Sequence, residues 1–132
     1  MSPTIAFVAC LLTTLLFLGG AFVTGFRALR KRHLACVASA VASLGVTIYF
    51  ALRVGELYDL SSAGRITPIH LWLARITTCA YVLPIATGIR TIYVPSTRRL
   101  HRVFAFTVLA MTVATAITGT WMLVLATPLQ QS

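Results

Sequence analysis

The sequence predicts an all-α polytopic membrane protein, an up-down-up-down bundle of four transmembrane helices. Three observations carry that reading. Hydrophobic residues make up 58% of the 132-residue chain and charged residues 10%, with mean hydropathy +0.91, whereas soluble domains carry roughly 25% charged residues. Four apolar runs are each close to or above the roughly 20 residues a helix needs to cross a hydrocarbon core. The basic residues gather in clusters between those runs, so the net charge of +9 reads as topology and excludes nucleic acid as a partner in favour of membrane lipid.

The first span, residues 3–26, holds no charge, and its first cation, Arg27, follows it. A secretory signal carries its cations before the apolar stretch, so the segment is expected to stay attached. The second span, 34–52, is again uncharged. The third, 68–89, contains Arg75, and the fourth, 103–126, is uncharged. Short connections make sequence neighbours antiparallel. Ala35, Ser39, Ala42 and Ser43 in the second span and Ala110, Ala114 and Thr118 in the fourth are expected to face inward, because small residues let membrane helices approach closely. No internal sequence repeat is evident, and residues 1–132 read as a single membrane domain. Cys10, Cys36 and Cys79 lie in apolar runs without metal or disulfide spacing and read as small buried hydrophobes.

Arg27, Arg30, Lys31 and Arg32 lie between the first two spans, and Arg90, Arg98, Arg99 and Arg102 between the last two, together eight of the eleven Lys and Arg. In the middle connection Arg53 and Arg65 are offset by Glu56 and Asp59. The positive-inside rule then places the two basic connections in the cytoplasm, and the middle connection and both termini outside. The expected location is a cytoplasmic membrane.

Few residues remain for chemistry. His33 opens the second span and His101 the fourth, from the same side of the membrane. Two imidazoles across a bundle are what a b-type haem needs, with Arg32 and Arg102, and Arg30 nearby, placed to pair with propionates. The competing reading makes both histidines headgroup-level residues beside basic loops. His70 opens the third span from the outside, where a copper site would need further ligands. Arg75, two turns into its span, costs roughly 2.5–3.5 kcal/mol there unless it snorkels or pairs. Its expected orientation is toward the bundle, in an outer polar cluster with Arg53, Tyr49, Glu56, Asp59 and His70. Pro84, Gly88, Gly19 and Gly20 read as kink and close-packing positions. Trp72, Tyr58, Trp121, Tyr81 and Tyr93 read as interfacial or packing anchors. Soluble-enzyme motifs such as GxSxG, HExxH or a phosphate-binding loop are absent from the sequence, which argues against an enzyme.

The stretch from His33 to Arg53, opening with His and closing with Tyr49 and Arg53, resembles the second span of the bacterial four-helix family catalogued as domain of unknown function 420. Ile69–Ala74 (IHLWLA) is similar to that family's third-span opening. Leu100–Thr107 (LHRVFAFT) with Thr118 and Gly119 is similar to its fourth span. The resemblance covers roughly residues 8–126. It implies a role in maturation of haem-copper oxidases, with an oxidase subunit as partner, and with His33, His70 and His101 as residues handling haem or copper. Relatives place a further His after the Arg that ends the second span, where Val54 stands here. Three functions follow as expectations: an accessory protein that binds or transfers haem or copper during oxidase assembly, a small bis-histidine cytochrome carrying electrons, and a cofactor-free structural subunit. A second copy of the chain is also an admissible partner.

Overall fold

The computed structural model describes residues 2–129; Met1 and residues 130–132, and with them the ends of both uncharged tails, lie outside the described residues. The fold is all-α. Helices α1 (Pro3–Phe26), α2 (Arg30–Gly55), α3 (Ile66–Ala80), α4 (Val82–Tyr93) and α5 (Arg98–Leu125) supply four segments long and apolar enough to cross a membrane, with α3 and α4 acting as one segment of 28 residues. The chain divides into two compact units. One runs up to Asp59 and takes back Pro128 and Leu129; the other is Leu60–Thr127.

The first unit is the hairpin of α1 and α2. Ser2 caps α1 through its side chain, with Pro3 just inside the helix, where its missing N–H is no loss. Only residues 27–29 connect the helices, and Ala28 turns the chain at φ 55°. The seam of α2 repeats every seven residues through His33, Ala40, Thr47 and Val54, of which the last three are buried; Ala6, Thr14 and Ala21 are buried on α1. A strict seven-residue period is the mark of close antiparallel or parallel helix pairing. At its centre the Thr14 hydroxyl lies 2.8 Å from that of Ser43 and 3.1 Å from that of Thr47. Past α2, the short strand β1 (Tyr58–Asp59) ends the unit, and the Leu129 amide donates to the Leu57 carbonyl at 2.9 Å.

The second unit packs α3 and α4 against α5. The first helix of this hairpin breaks once. Pro84 has no N–H for the carbonyl of Ala80, and its ring crowds that carbonyl; α3 accordingly ends at Ala80, while Tyr81 keeps helical dihedrals (φ −58°, ψ −25°) and α4 continues the span. A one-turn 3-10 helix, Pro95–Thr97, leads into α5. Val108, Thr112, Gly119 and Met122 are the buried positions of α5.

Three expectations from the sequence are corrected here. Arg30, Lys31, Arg32, Arg98, Arg99 and Arg102 belong to the first turns of α2 and α5 and not to loops. The apolar run marks only the hydrocarbon thickness, and Arg and Lys are good helix formers in the headgroup layer beyond it. The small-residue faces are right in part: Ser43 and Thr118 meet the opposite helix, but Ala35, Ala42 and Ala110 are exposed, and the buried positions are Ala40 on α2 and Val108 and Gly119 on α5. Finally, Arg75 is exposed and does not face α5.

Thr14 tests the first seam directly. Replacing it with the isosteric Val removes both interhelical hydroxyl contacts and is expected to lower stability by about 0.6–2 kcal/mol, read as the denaturation midpoint of the detergent-solubilised protein, with Thr13→Val, on the exposed face, near wild type.

Candidate functional site: two matched imidazole cradles

His33 is the fourth residue of α2, and His101 is the fourth residue of α5. Each points back across its own hairpin. His33 Nδ1 lies 2.8 Å from the Ala21 carbonyl oxygen, and His101 Nδ1 lies 3.0 Å from the Pro84 carbonyl oxygen. A carbonyl only accepts, so in both rings Nδ1 carries the hydrogen, and in the neutral imidazole Nε2 bears the lone pair. An Nδ1–H held by a main-chain carbonyl is the arrangement that orients an imidazole for ligation through Nε2.

The surroundings match as closely as the bonds. The Thr24 hydroxyl donates to Gly20 O at 2.6 Å with Ala21 O at 3.2 Å, and the Thr87 hydroxyl donates to Leu83 O at 2.7 Å with Pro84 O at 3.4 Å. One residue on, a glycine makes room for the ring: a Cβ on Gly25 would sit 3.2 Å from His33 Nδ1, and one on Gly88 would sit 3.1 Å from His101 Cε1. Arg27 and Arg90 follow two positions later. The pattern Thr-Gly-x-Arg therefore occurs twice, 63 residues apart.

The correspondence extends through both hairpins. Shifting α1 by 63 residues lays Thr14 on Thr77 and Ala21 on Pro84; shifting α2 by 68 lays His33 on His101, Ala40 on Val108, Thr47 on Thr115 and Val54 on Met122. The Thr14–Thr47 hydroxyl pair at 3.1 Å has its counterpart in Thr77–Thr115, also at 3.1 Å. Ala40, Val108, Val54 and Met122 are all buried. The two hairpins thus repeat one seam over these positions, a match the sequence alone does not make evident; it is not complete, since buried Ala6 falls on exposed Ile69 and buried Gly119 on exposed Ala51. The difference between the shifts is the longer second connection, where Pro95–Thr97 is inserted.

The repeats differ at one end. Phe7, Leu18, Leu44 and Phe50 of the first correspond to His70, Tyr81, Thr112 and Thr118 of the second. The Thr118 hydroxyl donates to Ala114 O at 2.9 Å, so at 3.1 Å it accepts from His70 Nδ1. The Tyr81 hydroxyl lies 2.9 Å from that of Thr112. Sequence reasoning set Thr118 on the inward face but gave no role to Thr77, Thr112 or Thr115; the spacing of Thr77, Tyr81, Thr112, Thr115 and Thr118 by three and four was the available signal.

His70, expected in the outer polar cluster, turns into its own hairpin. Arg53 Nη1 pairs with Glu56 Oε2 at 3.0 Å on the exposed surface. Tyr49 is exposed with its ring 5.3 Å from that of Phe50, and Asp59 sits half-buried in β1. Arg75 rests its guanidinium 5.9 Å from the centroid of Trp72, one turn back on its own helix. Among the described residues no three His, Cys, Asp or Glu gather as a metal site. Arg32 and Arg102 stay exposed beside their histidines. No protein-family model, curated protein or solved structure matches the chain.

The glycines opposite the imidazoles give a graded test. A Cβ on Gly119 would lie 2.7 Å from His70 Cε1, while Gly19 and Gly45 have nothing within 4 Å. Gly119→Ala is expected to lower the thermal midpoint most and Gly25→Ala and Gly88→Ala less. Gly19→Ala and Gly45→Ala should be neutral or stabilising by about 1 kcal/mol, since glycine is a poor helix former.

Proposed function

We propose that this is an integral protein of the bacterial cytoplasmic membrane that handles haem in the assembly of haem-copper respiratory oxidases, Nε2 of His33 and Nε2 of His101 each serving as a haem ligand from its own hairpin. One observation carries the haem assignment: a repeated hairpin keeps, at the same position, an imidazole whose Nδ1–H is held by a main-chain carbonyl. A b-type haem is ligated by imidazole nitrogen, and these two rings are held by a main-chain carbonyl, whereas His70 Nδ1 meets a hydroxyl. Bound there, the haem would supply one-electron redox chemistry.

The residues around each ring favour haem over a copper ion. Arg30, Lys31 and Arg32 precede His33, and Arg98, Arg99 and Arg102 flank His101. Cations repel a bare metal cation but pair with carboxylates, and propionates are carboxylates. The oxidase-assembly part of the reading rests on the resemblance of the second, third and fourth spans to the family of domain of unknown function 420. The placement of both termini outside the cytoplasm rests on the charge bias between the connections.

Protein purified in detergent and titrated with haemin should develop a Soret band and, when reduced, the visible bands of imidazole ligation. His33→Ala and His101→Ala should each weaken that spectrum, and His70→Ala should keep it. A spectrum unaffected by the first two variants, or none at all alongside stoichiometric copper by elemental analysis, would overturn the haem assignment. An alkaline phosphatase fusion at the C-terminus should be active and a fluorescent fusion that folds only in the cytoplasm should be dark.

A further inference from the structure

We propose that the second hairpin carries a lipid site that the first lacks, in which an anionic phospholipid pairs its headgroup phosphate with Arg75 and lays an acyl chain along Ile76, Cys79, Ala80 and Leu83. A shallow groove of about 500 Å³ runs along this exposed face, lined by Trp72, Arg75, Ile76, Cys79, Ala80 and Leu83. Two of its lining residues, Cys79 and Ala80, are small and lie just before the break at Tyr81. Apart from Arg75 the lining is apolar and recurs every three or four residues, so the groove follows the helix axis as an extended chain would.

Charge selects the occupant. Arg75 makes no ion pair among the described residues; of the two acids in the chain, Glu56 is taken by Arg53. A counter-charge can reach it from outside the chain, since its side chain is exposed. Helical side chains lean toward the N-terminus of their helix, and Arg75 does so, bringing its guanidinium over Trp72. Arg75 itself lies nine residues beyond the start of α3, about 14 Å along the axis at 1.5 Å per residue. The lean carries the charge back toward the headgroup layer, where phosphates are, and away from the mid-membrane depth at which a carboxylate on a partner helix would sit. Trp72 is the residue type that marks that layer.

The internal repeat supplies the control. The matching face of α1 consists of Ala9, Leu12, Thr13, Leu16, Phe17 and Gly20, without a charge, and with Leu12 in the place of Arg75. Lipid should contact both faces, but only the face on α3 and α4 should distinguish headgroups.

The experiment uses the full chain in phosphatidylcholine vesicles containing, at equal mole fraction, phosphatidylglycerol or phosphatidylcholine with a diazirine in the acyl chain. Cross-links are mapped by peptide mass spectrometry. Labelling between Trp72 and Leu83 should be roughly fivefold greater with phosphatidylglycerol, the ratio one cation near an anionic surface gives. Labelling between Ala9 and Gly20 should be equal with both. Arg75→Gln should bring the ratio on α3 and α4 to one, Arg75→Lys should keep most of it, and Ala80→Leu should lower labelling there with either lipid. Millimolar inorganic phosphate should not compete. A ratio of one in the wild type, a ratio unchanged by Arg75→Gln, or full competition by inorganic phosphate would each overturn the proposal; an unchanged ratio is what a carboxylate-bearing helix partner for Arg75 would produce. Basic residues at the other end of the hairpins do not confound the result, because the readout is the labelled peptide.

Discussion

A polar side chain in hydrocarbon has no water to bond, so it must find its partner on a neighbouring helix, and that requirement organises both hairpins. The buried polar residues among those described are four threonines, Thr14, Thr47, Thr77 and Thr112, and each meets a hydroxyl from the opposite helix. Most of these hydroxyls also donate to a carbonyl one turn back, as Thr47 does to Ser43 O and Thr115 to Met111 O. A hydroxyl so engaged accepts across the seam from a partner that keeps its hydrogen, as Thr115 does from Thr77 and Thr112 from Tyr81. No buried side-chain nitrogen or oxygen among the described residues lacks a partner. The seam is thus held by directed bonds at fixed heights, which sets the register of each hairpin where apolar packing against lipid would not.

The same requirement explains the histidines. Each of the three rings turns from the lipid face into its own hairpin, takes an acceptor with Nδ1, and lies against a glycine: Gly25 for His33, Gly88 for His101 and Gly119 for His70. An alanine at any of these positions would press on the ring. Two of the three belong to the repeat and one does not. His70 stands where the first hairpin has Phe7, and its acceptor Thr118 stands where the first has Phe50. A polar pair introduced together at facing positions costs far less in a membrane than either partner alone, because each desolvated group finds the other.

The sequence disclosed the fold class and the four spans, since charge-free runs of that length have few alternatives. It also singled out His33 and His101 by their matched positions at the start of two spans. It did not disclose the repeat, because the apolar seam positions hold different residues: Ala21 against Pro84, Ala40 against Val108, Val54 against Met122. An apolar seam in a membrane constrains size and polarity far more than identity. The signal that survived, Thr-Gly-x-Arg before each basic cluster, is four residues long and lies at unequal distances from the histidine it serves. Arg75 was misread for a different reason. Its position along the helix is fixed by the sequence, but whether a long side chain turns inward or leans back toward Trp72 depends on the α5 surface opposite, which offers hydroxyls and no carboxylate.

Pro84 shows how one residue joins these themes. As a proline it ends α3 and leaves the Ala80 carbonyl without its usual donor, beside the small residues that line the outer groove. Its own carbonyl, one turn before Gly88, receives His101 Nδ1 on the inner side. The corresponding residue of the first hairpin is Ala21, which provides the same carbonyl from an unbroken helix. The acceptor therefore does not depend on the break, and the proline is not needed to hold the imidazole. What the break adds is confined to the second hairpin, as are the groove, Arg75 and the His70 seam. The cradle is the shared property of the repeat, and the distinct outer face is where the second copy has acquired chemistry of its own.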